Sequence, residues 1–420
     1  IIQFNVSGGL QKDKMLRSGV VLCTKAAAMG HIEAMRKLDH YLQDGYGVKK
    51  IVQEGRKLNT VVIKSSKGSA EKAEALFVFG DSYADTGNHD PYNQTLNTPW
   101  RKPYGFTWPG YPAGRYSCGK IQTDFWADIL GIPTPISYEL LKSHHCKPNT
   151  DKIKHGVNFA VGGSGIFRAY GFTTVPEQVQ QLKKLISESP GFHSQKLSRS
   201  VVLISAVGND YSALRDSNNG STEGLVGLVK PVVDGTLEVV KDLYDCGFRN
   251  FVVSNVAALG CGPQIGKTSC NSKYDHIVEL HGSLLRERVH LLRSNMKGLS
   301  LIIPDLVSAI NYIFSNPAQY GFVDLFVPCC AAKGGVDMCG EVDKTGRTLF
   351  EVCSRVSEKF YWDSVHPTQA GWYTLMSLYS HGAAAAHKED LSFMEGAPNA
   401  IEWVQSLGFL ASNISSQSEL

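Results

Sequence analysis

From Ala75 onward, strand-length apolar runs recur along the chain, and stretches with helical spacing fill the gaps between them. The runs are Ala75–Phe79, Gly156–Val161, Val201–Val207, Phe251–Asn255 and Leu299–Ile303. They are β-branched or aromatic and almost continuously apolar, as parallel strands buried on both faces must be. Between them, Ile121–Leu130, Pro176–Ser187, Glu223–Asp245 and Tyr274–Lys297 read as helices. This alternation predicts right-handed βαβ units and an α/β fold, a three-layer α/β/α sandwich with a mostly parallel central sheet. Such sheets bind ligands beyond the carboxyl ends of their strands. Motifs at those ends therefore matter most.

Composition narrows the function. The chain of 420 residues is 43% hydrophobic, enough to bury a sizeable core. With 42 basic and 39 acidic residues it lacks the strongly basic footprint of a nucleic-acid binder. No apolar run approaches the roughly eighteen residues of a membrane-spanning helix. The charge is unevenly placed: residues 1–72 hold 13 Lys/Arg against 6 Asp/Glu, and the rest holds 29 against 33. The segment Leu22–Val48 has helix–turn–helix spacing with Gly30 and Gly45 as punctuation. It resembles one unit of the tetratricopeptide-like repeats of some plant F-box proteins. A single such unit has no neighbours with which to share a core. Residues 1–72 are therefore expected to be a helical extension and linker, fused to a domain spanning 73–420. The chain starts at Ile1, which fits a fragment, a processed chain or two joined genes. Its first residues show no signal-peptide pattern.

Four motifs carry chemistry. GDSYADTGN, Gly80–Asn88, follows the first apolar run directly. A serine on that strand-to-helix turn, Ser82, exposes its hydroxyl at the top of the sheet and can aim its own N–H at an oxyanion; Gly80 permits the tight turn. The ordinary alternative is a helix cap. DSVHPT, Asp363–Thr368, puts an acid and an imidazole three residues apart, close enough for one turn to bring them together. His366 can then take the serine proton while Asp363 orients the ring; an isolated pair of this kind is more often a surface turn. GVNFAVGGSG, Gly156–Gly165, and VGND, Val207–Asp210, both end apolar strands. Gly162 or Gly163 can supply a backbone N–H and Asn209 a side-chain amide to the same oxyanion. A flexible turn and an Asx turn are the plainer readings. Asp85 and Asn88 are expected to brace the nucleophile turn. Ser164 lacks the flanking glycine of a G-x-S-x-G nucleophile, and His144, His145 and Cys146 are too close together to share one metal.

These four blocks, in this order, resemble the GDSL esterase/lipase family, also called SGNH hydrolases. The likeness is greatest to its plant branch, through strings at Pro103–Gly105, Pro112–Lys120 and Tyr361–Thr368. It covers about Ala75–His381. The resemblance implies a flavodoxin-like SGNH hydrolase fold and cleavage of carboxylic esters through an acyl-serine intermediate. It implies Ser82, His366 and Asp363 as nucleophile, base and orienting acid. Ser82, Asn209 and either Gly162 or Gly163 would form the oxyanion hole. It implies no metal and no organic cofactor, a small-molecule or lipid ester as the partner, and a secreted protein. Oligomeric state has no signature in the sequence. Two rivals stand beside this reading: acyl transfer through the same acyl-enzyme, and a non-catalytic interaction protein built on the N-terminal repeat.

Ten cysteines are too few for a disulfide scaffold, and none forms a C-x-x-C. Disulfides are expected at Cys261–Cys270 and Cys339–Cys353, against the alternative of free intracellular thiols. Sequons at Asn5, Asn93, Asn219 and Asn413 are compatible with secretion.

Overall fold

The computed structural model describes residues 71–92, 98–143, 153–189, 192–333, 339–382 and 392–414. The helix–turn–helix reading of Leu22–Val48, the sequons at Asn5 and Asn93, and the His144–Cys146 run lie outside them. The fold is that of the unit Lys72–Leu420.

Its first half contains β1 (Leu76–Gly80), α1 (Gln122–Leu130), β2 (Ile136–Ser137), β3 (Val157–Asn158), α2 (Val175–Glu188), β4 (Val201–Ser205), α3 (Asn209–Ser217) and α4 (Leu225–Asp245). The second half adds β5 (Asn250–Val253), α5 (Asp275–Asn295), β6 (Ser300–Pro304), α6 (Leu306–Ser315), β7 (Cys330–Ala332), β8 (Phe350–Val352), α7 (Gln369–His381), β9 (Met394–Glu395) and α8 (Ala400–Ser406). Among the described residues, seven strands form one sheet in the order β2-β3-β1-β4-β5-β6-β9. All pairs are parallel except β6 with the edge strand β9.

Both faces of the sheet are buried, as the apolar runs require. Leu76, Val78, Val201, Leu203, Val252 and Ile302 point to one side, where they meet α1, α6, α7 and α8. Phe77, Phe79, Val202, Ile204, Phe251 and Ile303 point to the other, against α2, α4 and α5. The expected three-layer sandwich is therefore present. Four of the five expected strands keep their place within a residue or two; Gly156–Val161 contracts to the pair Val157–Asn158. Strands β2 and β9, two residues each, and helices α3, α6, α7 and α8 lie where no element was expected. Capping explains where helices begin. Thr174 accepts from the Glu177 N–H while the Glu177 carboxylate accepts from the Thr174 N–H, and Pro176 sits in the first turn of α2.

After β1 the chain builds β2 and β3 on one flank, then crosses to β4 on the other. The carboxyl end of β1 is thus the topological switch point. There the backbones of β1 and β4 approach closely. Gly80 has φ +142°, and a Cβ on it would lie 2.1 Å from the Ser205 carbonyl oxygen.

Away from the sheet, Cys261–Cys270 forms as expected. The pairing Cys339–Cys353 does not: Cys353 bonds Cys329 and Cys339 bonds Cys330. The β7–β8 register is the reason. Cys330 opposes Val352, so the preceding Cys329 lies beside Cys353, whose N–H donates to the Cys329 carbonyl at 2.7 Å. Adjacent strand residues face opposite sides, which turns Cys330 away toward Cys339.

Gly80→Ala is expected to cost at least about 2 kcal/mol, from backbone strain plus the overlap with Ser205. Chemical denaturation beside the unaltered chain measures it, and an unchanged midpoint would contradict this account of the turn.

Candidate active site

The turn after β1 carries Ser82, whose residue is 9% exposed. Its Oγ lies 2.8 Å from Nε2 of His366, which arrives from a loop 284 residues later. His366 Nδ1 lies 2.9 and 2.8 Å from the two carboxylate oxygens of Asp363. A carboxylate only accepts, so Nδ1 carries the proton and Nε2 offers its lone pair to the Ser82 hydroxyl. Serine, imidazole and carboxylate are thereby linked in one line.

Asp363 is fully enclosed and well supplied with donors. Its Oδ1 accepts the N–H groups of Val365 and His366, and its Oδ2 accepts the Tyr104 hydroxyl at 2.8 Å. Burial pushes its pKa up, but the facing imidazole and these hydrogen bonds prevail and hold it below the ordinary carboxylate value. Tyr83 donates its hydroxyl to the Val365 carbonyl, fixing the same loop from the other side. The ring of Tyr116 lies over that of His366, centroids 4.9 Å apart.

The turn that carries Ser82 is fastened on every side. Asp81 Oδ2 accepts the Val207 N–H and Oδ1 the Tyr83 N–H. Asp85 accepts from the backbone of Gly87, Asn88 and Gly162. The Asn88 amide donates to the Asn158 and Ala160 carbonyls. Asp85 and Asn88 are thus placed as braces, as expected. Two glutamines were not foreseen. Gln178 of α2 pairs both polar ends of its amide with the Gly80 backbone, and Gln122 of α1 donates to the Tyr83 carbonyl and the Ser205 hydroxyl. Asp81, Tyr104 and Tyr116 stand inside the strings Gly80–Asn88, Pro103–Gly105 and Pro112–Lys120, but nothing in those strings marked a role for these side chains, and the two glutamines stand in ordinary helical stretches.

The remaining expected residues flank this turn. The Gly162 N–H donates to Asp85 at 2.9 Å, so it is already engaged. Gly163 follows with φ +82°, and among the described residues neither its N–H nor that of Ser82 has a partner. Asn209, at the start of α3, donates one amide hydrogen to the Ser164 carbonyl at 2.8 Å and keeps a second. Its neighbour Asp210 accepts the Ile166 and Phe167 N–H groups, which ties α3 to the glycine loop. Ser164 itself donates to the Thr173 carbonyl. No group of three or more potential metal ligands occurs among the described residues.

A parallel α/β sandwich with Ser, His and Asp joined in this order at its switch point has the architecture of serine hydrolases. Comparisons with known proteins give the family. The GDSL-like lipase/acylhydrolase family matches residues 76–376. A GDSL esterase/lipase of Arabidopsis thaliana is 36% identical over 77% of this chain and 92% of its own length. A second from the same plant is 34% identical, over 74% and 87%. A GDSL lipase of Tanacetum cinerariifolium is 32% identical, over 72% and 82%. The chain belongs to the GDSL lipase/acylhydrolase family and is by class a carboxylic ester hydrolase.

Burial raises the pKa of Asp81 from 3.8 to about 7, against the N–H groups of Val207 and Tyr83 and the nearby His366. The folded chain therefore keeps a proton that the unfolded chain gives up. This group's contribution to stability is complete below about pH 4 and is lost as pH rises through about 7. Asp81→Asn removes that titration, so the denaturation midpoint of the variant should decline less between those limits than that of the unaltered chain. Equal declines would count against a protonated Asp81.

Proposed function

We propose that the chain hydrolyses carboxylic esters through an acyl-serine intermediate formed on Ser82. The observation that carries this reading is the unbroken line from Ser82 through His366 to Asp363, with unengaged donors beside it. Ser82 Oγ adds to the ester carbonyl as its proton passes to His366 Nε2. The new imidazolium faces the Asp363 carboxylate, and the carbonyl π pair moves onto oxygen. The N–H groups of Ser82 and Gly163 and the second amide hydrogen of Asn209 stabilise that oxyanion. Collapse expels the alcohol, which takes the proton from His366. Water, deprotonated by the same imidazole, then attacks the acyl carbonyl; collapse releases the acid, and Ser82 Oγ takes the proton back from His366. Between the two glycines considered from the sequence, Gly163 is the better donor, because the Gly162 N–H is committed to Asp85.

The substrate is a small-molecule or lipid ester. We place the catalytic body at residues 73–420, a boundary supported by the family match beginning at residue 76. Among the described residues no helix is long and apolar enough to cross a membrane. Secretion is supported by the three disulfides and by the exposure of two sequon asparagines, Asn219 and Asn413.

The test is hydrolysis of short-chain p-nitrophenyl esters by the full chain, with a serine-reactive phosphonate. Ser82→Ala should lower kcat by about 10³-fold or more while the protein stays folded, and the phosphonate should label Ser82. A folded Ser82→Ala variant with undiminished turnover refutes the assignment. Product analysis with added glycerol separates hydrolysis from acyl transfer: transfer would yield a glycerol ester.

A further inference from the structure

Three tyrosines surround His366. Tyr104 has its hydroxyl on Asp363, and Tyr83 has its hydroxyl on the Val365 carbonyl. The third, Tyr116, has no hydrogen-bond partner for its hydroxyl among the described residues. Yet its residue is only 9% exposed. Its oxygen is also absent from the set of sealed, unpartnered polar atoms, so it keeps contact with solvent. The ring is held in place by three others. It lies 4.9 Å from the His366 ring and packs edge-on 5.9 Å from His89 and 6.3 Å from Tyr104. The hydroxyl end points away from these contacts toward the glycine loop: a Cβ on Gly162 would lie 2.5 Å from the Tyr116 oxygen. A nearly buried donor without a partner is unfavourable unless something else supplies the acceptor. Here the hydroxyl lies against Gly162, beside the His366 ring, and its remaining contact is with solvent.

We propose that Tyr116 is a further catalytic residue, whose hydroxyl donates a hydrogen bond to the substrate oxygen that becomes negative when Ser82 adds. This rests on the acyl-serine reading above and adds a fourth donor to the three named there. Burial, with Asp85 and Asp363 nearby, pushes the phenol pKa well above its ordinary value, so the group stays a donor across the working range. Its neighbours leave it this role. Tyr104 acts on the carboxylate and Tyr83 on the loop, whereas the Tyr116 hydroxyl faces no protein acceptor. Glycine at 162 is what makes room for it, since a side chain there would collide with the phenol.

The experiment compares Tyr116→Phe with the unaltered full chain on p-nitrophenyl acetate and butyrate. Phenylalanine keeps the ring over His366 and removes only the hydroxyl. kcat should fall by about 10–10²-fold with KM little changed, because the bond strengthens only as charge develops. The acid limb of the pH profile should not move, since the imidazole keeps its packing. Affinity for an alkyl boronic acid, whose adduct with serine is tetrahedral and anionic, should fall in parallel with kcat. A kcat within twofold of the unaltered chain overturns the proposal, and so does a rise in KM alone. A parallel Ser82→Ala measurement separates the two levels. If that variant retains turnover, the acyl-serine reading fails and this proposal with it. If it is inactive while Tyr116→Phe is fully active, only the role of Tyr116 fails. Should Tyr116→Phe not fold, boronate affinity of the unaltered chain decides: binding no tighter than that of a boronate diester unable to form the adduct overturns the proposal.

Discussion

Buried carboxylates accepting hydrogen bonds from neighbouring loops hold this site together. Asp81 ties the Ser82 turn to the loop after β4, through the Val207 N–H. Asp85 ties the same turn to the glycine loop, through the Gly162 N–H. Asp210 closes the triangle by accepting the Ile166 and Phe167 N–H groups. Asp363 gathers its own loop and Tyr104. The chemistry-bearing residues all sit in loops or at helix starts, where no ladder of sheet hydrogen bonds fixes them. A carboxylate with two oxygens and several lone pairs can replace such a ladder locally. The close approach of Gly80 to Ser205 completes the arrangement by bringing β1 and β4, and hence these loops, within reach.

The four carboxylates are not equivalent. Burial raises the pKa of Asp81, Asp85 and Asp210, even though each accepts backbone N–H groups. Only Asp363 is held below its ordinary value, and only Asp363 bonds directly to an imidazole. Neutral N–H donors, even with an imidazole nearby as at Asp85 (His89) and Asp81 (His366), reduce the cost of burying charge without reversing it, whereas the imidazole bonded directly to Asp363 reverses it. The structure thus separates the acids that tie loops together from the one acid that faces the His366 imidazole. This separation follows from the partners each acid meets and not from its depth, since Asp81, Asp85 and Asp363 are all buried.

Much of this was legible in the sequence, and the physical reason is continuity. Runs such as Val201–Ser205 are long enough to show burial on both faces, so the layered fold could be read directly. Ser82, Asp363 and His366 stand in short motifs that mark a turn and a local acid–base pair. The two-residue strands β2 and β9 are too short for any periodicity. What distinguishes Gly162 from Gly163 is that the Gly162 N–H is already engaged, by a partner 77 residues away. Gln178 and Gln122 reach the Ser82 turn across 98 and 39 residues, and a lone glutamine in a helix gives no sign of such a contact. The expected Cys339–Cys353 pairing failed for a similar reason, since spacing alone contains no strand register, while Cys261–Cys270 formed.

The acid–base pair poses a distinct problem, because Asp363 and His366 build their mutual geometry within one turn but must be carried to Ser82 from far along the chain. The loop is carried by the β7–β8 hairpin. The Cys329 and Cys330 N–H groups donate to the Tyr361 and Trp362 carbonyls, immediately before Asp363. That hairpin has only three residues per strand and lies outside the seven-stranded sheet. A two-stranded unit of this size is marginal on its own. Its two disulfides supply what a core would otherwise provide, and they cluster with Trp362 and Tyr104 beneath the Asp363 carboxylate. The crosslinks therefore belong to the active-site geometry as much as to stability: what they restrain is the segment that sets the position of Asp363, and through it the reach of His366 toward Ser82.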